Sequence, residues 1–167
     1  TSVDVYFHDD GANLTTLTKD NITATLDGNA VTVENFEKSQ QRINYMFLLD
    51  ISGSVPENHM AAAKQEILSI YGNLKENDLL SVITFGDEVH TIINGTETLE
   101  EAKSILDGVH CNNNYTHFYD AVDLMLKRLE GTSDMRNVAV VVSDGINTGD
   151  VNTSIDSLKS KLSGSGI

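Results

Sequence analysis

The chain has 167 residues, 40% of them apolar, with one proline and no low-complexity tract, enough to bury the core of one globular domain with a small appendage at most. Its 25 acidic and 11 basic side chains leave a formal net charge of −14, which argues against nucleic-acid binding and against an anionic membrane surface. No apolar run is long enough to span a bilayer, no charged-then-apolar leader opens the chain, and the one cysteine, Cys111, excludes an internal disulfide.

The first forty residues differ in character from the rest. Val3–His8 is strand-like and Asp9-Asp10-Gly11 is a turn signal, better read as a solvated turn than as a cation site. Residues 22–26 alternate with a period of two, Asp27-Gly28-Asn29 turns the chain, and residues 30–36 resume the strand pattern. Asp-Gly between alternating runs is a strong hairpin signal. Residues 1–42 are therefore expected to form a small β element, and residues 43–167 the main domain.

From residue 43 onward strand and helix patterns alternate, which predicts a parallel sheet with crossover helices. The run Tyr45-Met46-Phe47-Leu48-Leu49 reads as a strand buried on both faces, and it ends abruptly in Asp50-Ile51-Ser52-Gly53-Ser54. Pro56 and Glu57 signal a helix over about 57–74, with a stripe at Met60, Ala63, Ile67, Tyr71 and Leu74. Strands are expected at 79–85 and 88–93, and a short helix at 98–106. A polar loop, Cys111-Asn112-Asn113-Asn114-Tyr115-Thr116, leads to a helix over 117–130 that Gly131 stops. Residues 137–143 repeat the buried-strand pattern and end in Asp144-Gly145, and a last helix is expected over about 152–162.

Asp50, Ser52 and Ser54 place one carboxylate and two hydroxyls where a central strand gives way to a helix, the ligand-binding edge of open α/β sheets. That donor set is weak for a transition metal and suits a hard divalent ion that keeps water and an open position, as Mg²⁺ does. Thr116 and Asp144 fall where a loop hydroxyl and a second strand-end acid can join the same place.

An Asp-x-Ser-x-Ser after a hydrophobic strand, a loop threonine before Tyr-Asp-Ala-Val, and a late strand ending in Ser-Asp-Gly together resemble the von Willebrand factor type A domain over roughly residues 43–167. The resemblance implies a doubly wound, Rossmann-like, mostly parallel sheet flanked by helices, with the strand ending in Asp50 central. It implies a metal-ion-dependent adhesion site at Asp50, Ser52, Ser54, Thr116 and Asp144, holding Mg²⁺, or Ca²⁺ or Mn²⁺. The family pattern continues beyond Gly164-Ser165-Gly166-Ile167 with at least one more strand. On that comparison the chain lacks the end of its sheet, and residues 138–142 would offer an edge for self-association. The 1–42 element looks like the β segment that often precedes this domain in secreted bacterial proteins. One departure stands out: the loop before the threonine is commonly glycine-rich, and here asparagines, which tolerate the left-handed conformation, and the bulky Tyr115 replace glycine.

Rival chemistries fit less well. An aspartyl-phosphate enzyme needs a second carboxylate where Ser52 stands. Ser52, His117 and Asp144 would make a triad on paper, but Asp-Ile-Ser-Gly-Ser is not a nucleophile elbow. A pyrophosphate loop lacks its glycines and would meet a carboxylate. His8, His59, His90, His110 and His117 are scattered, with only His117 placed to line the rim of the metal site and tune it with pH. A plain α/β domain, in which Ser52 and Ser54 merely cap a helix, explains the first motif but not the ordered set. Cys111 reads as a structural or incidental thiol, and Asn-x-Ser/Thr triplets at Asn13, Asn21, Asn94, Asn114 and Asn152 as mostly chance.

The expected function is a metal-dependent protein-binding or adhesion domain, not an enzyme, that docks an Asp or Glu carboxylate of a protein partner onto the ion. It is expected to be extracellular or at the cell surface. The alternative is a cytoplasmic complex-assembly subunit of the same fold, of the chelatase or ATPase-associated type.

Overall fold

The structure, a computed structural model, describes residues 18–34, 42–132, 135–149 and 154–164. They belong to two compact units, Thr1–Gln40 and Gln41–Ile167. The strand expected over Val3–His8, the Asp9-Asp10 turn and the residues beyond Gly164 lie outside the described residues.

In the first unit a 3₁₀ turn, Lys19–Asn21, precedes strands β1 (Ala24–Leu26) and β2 (Asn29–Val31), which pair antiparallel with Leu26 opposite Asn29. Asp27 and Gly28 both have positive φ, 50° and 80°, which a two-residue type I′ hairpin turn requires. The strands are only three residues each, shorter than the alternating runs predict, and their side chains are mostly exposed.

The second unit runs β3 (Ile43–Asp50), α1 (Glu57–Tyr71), β4 (Leu79–Phe85), β5 (Val89–Ile93), α2 (Leu99–Asp107), α3 (Phe118–Leu129), β6 (Arg136–Val142) and α4 (Ile155–Gly164). The sheet order is β5-β4-β3-β6, with β3 parallel to both β4 and β6 and only β5 antiparallel. This is the expected α/β architecture, a mostly parallel sheet flanked by helices. Because side chains alternate along a strand, β3 feeds two cores. Phe47 and Leu49 pack with Leu80, Val82, Met60, Ile67 and Leu106, whereas Met46 and Leu48 pack with Ile83, Phe85, Met125, Leu126 and Leu158. A strand covered on both faces must be apolar at every position, which is why 45–49 reads as an unbroken run.

Several element ends shift by one to three residues from expectation, and three elements differ in ways the structure explains. Strand β6 carries an equally apolar run, yet most of it is only half-buried and Val141 is 46% exposed. Among the described residues it pairs with β3 alone, so it is the edge strand that the family resemblance implied, and its exposure follows position rather than composition. Helix α1 stops at Tyr71, three residues early, because Gly72 takes the C-cap and its N–H closes on Leu68 O at 3.0 Å. Thr98 is the N-cap of α2 rather than its first residue. Its hydroxyl accepts the Glu101 N–H while Glu101 accepts the Thr98 N–H and hydroxyl, a reciprocal cap that pulls the Glu101 carboxyl below the usual carboxylate range.

Candidate metal centre

Strands β3, β4 and β6 are mutually parallel through β3, so their C-terminal ends share one edge of the sheet. From β3 the chain goes to β4 on one side and later to β6 on the other, which makes the crevice between the ends of β3 and β6 a topological switch point.

Asp50, the last residue of β3, is fully buried beneath that crevice. Its Oδ1 accepts the Ser52 N–H at 2.9 Å and its Oδ2 accepts the Ser143 hydroxyl at 2.7 Å. No Lys, Arg or His among the described residues forms an ion pair with it. A buried carboxylate with hydrogen bonds but no counter-charge is costly, and its location suits a cation. The Ser52 and Ser54 hydroxyls lie 3.1 Å apart. Neither caps α1: its N-cap is Pro56, one position earlier than a first-turn proline, and no side chain bonds into that cap. The serine hydroxyls are thus free of the structural duty that a plain helix start would give them.

Ser52, Ser54, Thr116 and Asp144 line one cavity of about 410 Å³, together with Asn113, Asn114, Ile146 and Thr148. Four of the five expected metal residues therefore meet at one opening, while Asp50 lies behind the wall, joined to it through Ser52 and held from the other side by Ser143. Thr116 is buried, its N–H donates to Thr148 Oγ1 at 2.9 Å, and its carbonyl accepts from the N–H groups of Thr148 and Gly149. Among the described residues its own hydroxyl makes no hydrogen bond. Asp144 is exposed; one of its oxygens accepts the Ile146 N–H at 3.3 Å, across Gly145 at φ 88°.

The asparagine loop behaves otherwise than expected. None of Asn112, Asn113 or Asn114 takes a positive φ. Instead Asn113 forms a parallel bridge with Ser52, donating its N–H to Ile51 O and accepting the Gly53 N–H. The close approach falls to a glycine facing the loop rather than within it, at Gly86, where an added Cβ would lie 2.7 Å from Asn113 Cβ. Tyr115 projects outward, 56% exposed.

The donor set is hydroxyls plus two carboxylates, and among the described residues no three His, Cys, Asp or Glu side chains cluster. Such donors fit a hard divalent ion that retains water, and not a thiolate or imidazole site. The paper triad does not assemble: His117 Nδ1 lies 3.5 Å from Asp120, with its ring against Gly149, and makes no hydrogen bond to Ser52 or Asp144. Cys111 is a half-buried free thiol 3.8 Å from Asp50 O; burial first, then the charges of Glu57 and Asp50, push it above its ordinary value. Ser143 was not among the expected metal residues, and the β3–β6 register is what brings it to Asp50. Leu49 pairs with Val142, so the residue after each partner falls at one level, and those residues are Asp50 and Ser143.

The fold is that of a mostly parallel α/β domain with a hydroxyl-rich crevice at its strand ends. Residues 45–147 match the family profile of the von Willebrand factor type A domain, and the chain belongs to that family. Inter-alpha-trypsin inhibitor heavy chain H3 of Mus musculus is 27% identical over 120 residues, 66% of this chain but 13% of that protein. A von Willebrand factor type A structure from Catenulispora acidiphila superposes with a TM-score of 0.60 at 16% identity, covering 75% of this chain and 31% of that one. Proximal thread matrix protein 1 from the mussel byssus, solved with a zinc-occupied MIDAS motif, superposes with a TM-score of 0.58 at 20% identity, covering 75% and 34%. At these identities the structures show a shared fold, and this chain spans a minor part of each protein's length.

Proposed function

We propose that this domain binds a protein partner through a divalent cation, Mg²⁺ by preference, held by Asp50, Ser52, Ser54, Thr116 and Asp144. The observation that carries the reading is the buried Asp50, without a Lys, Arg or His ion-pair partner among the described residues, next to a cavity lined by serine hydroxyls that do not cap the following helix. Ser52, Ser54 and Thr116 supply neutral oxygens, Asp144 a second carboxylate at the rim, and Asp50 its charge from below, directly or through water. Two carboxylates and three hydroxyls leave a hard cation short of ligands, so a bound ion offers an open position to an Asp or Glu carboxylate of the partner. Tyr115 and Ile146, both exposed beside metal positions, give the flanking residues of that partner apolar contacts.

Membership of a family whose domains are commonly metal-dependent protein-interaction modules supports this reading, as does the metal-occupied motif of the byssus protein. We further propose that the domain is a binding module without turnover, secreted or surface-displayed; a cytoplasmic complex-assembly subunit of the same fold is the alternative. The test is thermal unfolding against Mg²⁺, Ca²⁺ and Mn²⁺ for the parent and Asp50→Ala. A cation-dependent rise in the parent that the variant loses supports the site, and an equal rise in both places the cation elsewhere. A panel of phosphoester, ester and peptide substrates tests the absence of catalysis, and turnover abolished by Asp50→Ala would overturn it.

A further inference from the structure

The loop carrying Thr116 is neither helix nor strand, so its geometry depends on where its N–H groups find acceptors. Two of them go to one carboxylate. Asp87, in the turn between β4 and β5, accepts the N–H groups of both Asn114 and Tyr115 through the same Oδ1, each at 2.9 Å. The Asp87 N–H donates in return to Asn113 Oδ1 at 2.8 Å. Gly86 makes this approach possible, since an added Cβ there would lie 2.7 Å from Asn113 Cβ. Asp87 forms no ion pair among the described residues, so its carboxylate is committed to the loop. Three successive residues, Asn113 to Tyr115, are thereby gripped immediately before Thr116.

A second grip comes from the opposite strand end. Asn147 accepts the Phe118 N–H at 2.9 Å and donates to Gly149 O at 2.9 Å, while Thr148 Oγ1 takes the Thr116 N–H. The threonine is held from both sides by residues outside the metal set.

We propose that Asp87 is a positioning residue of the metal centre, which holds Thr116 on the cavity wall through its hydrogen bonds to the Asn114 and Tyr115 N–H groups. It acts on the cation only through the loop. This rests on the metal reading above. Groups that hydrogen-bond a metal ligand directly typically set about ten- to a hundredfold in metal affinity, and Asp87, bonded to the two residues before the ligand, is expected at the low end of that range. A carboxylate accepting two N–H groups is a charge-assisted clamp, yet its geometric role needs only the oxygen. Asp87→Asn keeps that oxygen and removes the charge, whereas Asp87→Ala removes both.

The experiment measures Mg²⁺ affinity by thermal-shift titration for the parent, Asp87→Ala and Asp87→Asn, with amide hydrogen exchange on each. Asp87→Ala is expected to weaken Mg²⁺ about tenfold. It should also speed exchange at Asn114 and Tyr115 while the core amides stay protected. Asp87→Asn is expected to stay near the parent in both. Parent-like Mg²⁺ affinity in Asp87→Ala overturns the inference and leaves the metal centre standing. Equal loss in Asp87→Asn also overturns it, because the charge would then act on the cation through space. A parent that binds no Mg²⁺ overturns the metal reading itself, and this inference with it.

Discussion

Ser143 donates its hydroxyl to Asp50 Oδ2 at 2.7 Å, tying the end of β6 to the end of β3 beneath the cavity. The bond stabilises a carboxylate that has no ion-pair partner among the described residues, and it orients the other oxygen toward the Ser52 N–H. Ser143→Ala leaves one oxygen of a buried charge unpartnered. A hydrogen bond to a charged group contributes about 1.5–3 kcal/mol. Urea unfolding without divalent cation should show a loss of that order, and a change below about 0.5 kcal/mol would mean the bond is dispensable.

Asp50→Asn removes the buried charge and keeps the shape. In a chelator it should be at least as heat-stable as the parent, because an uncompensated buried carboxylate costs several kcal/mol. The same variant should lose its response to Mg²⁺. A variant destabilised in chelator would show that the hydrogen bonds from Ser52 and Ser143 outweigh the cost of burying the Asp50 charge.

Thr116→Val deletes a hydroxyl that makes no hydrogen bond among the described residues and preserves its volume. Its melting temperature in chelator should barely move. Its Mg²⁺ gain should fall well below that of the parent, for which saturation to a hundred times Kd stabilises by about 2.7 kcal/mol. Equal gains in the two proteins would remove Thr116 from the metal set.

Leu48 is fully buried on the face of β3 that meets α3 and α4. Leu48→Ala should cost about 2–5 kcal/mol in denaturant unfolding, the range for a deleted core leucine. A smaller cost would indicate that this core collapses onto the gap.

Asp123 on α3 accepts from Lys127 on its own helix and from Lys161 on α4, both at 2.7 Å. Lys127 first, then Lys161, hold its carboxyl below its ordinary 3.8. A depressed folded value means stability that is present above pH 3.8 and lost as pH falls through the folded value. Asp123→Asn should therefore destabilise by about 0.5–1 kcal/mol at neutral pH, since both lysines are largely exposed. The two stability curves should converge in acid. A difference that persists at the lowest pH would trace to packing and not to charge.

Much of the molecule was legible in the linear chain because its strongest signals are local. The unbroken run ending in Asp50 marks a strand covered on both faces, and Asp27-Gly28 marks a turn that needs two positive φ angles. Thr98 and Glu101 show how local reading slips by a residue, because a capping threonine and a helical one differ only in where the backbone bonds begin. Residues 137–142 show its limit: the valine-rich pattern alone serves an interior or an edge strand, and the edge was expected only from the family's strand order, which the sheet order matches among the described residues.

The sequence by itself determined the alternation of strand and helix, the hairpin turn, and the order of the acid and hydroxyl residues at the strand ends. Tertiary structure alone decided that Ser52, Ser54, Thr116 and Asp144 share one cavity while Asp50 lies behind it, and that Ser143, Asp87 and Asn147 hold the parts in place. The reason is one of range. A propensity or a period acts over a few residues, but the bond between Ser143 and Asp50 joins groups 93 positions apart. Such a bond exists only once parallel pairing of β3 with β6 has brought the two strand ends level.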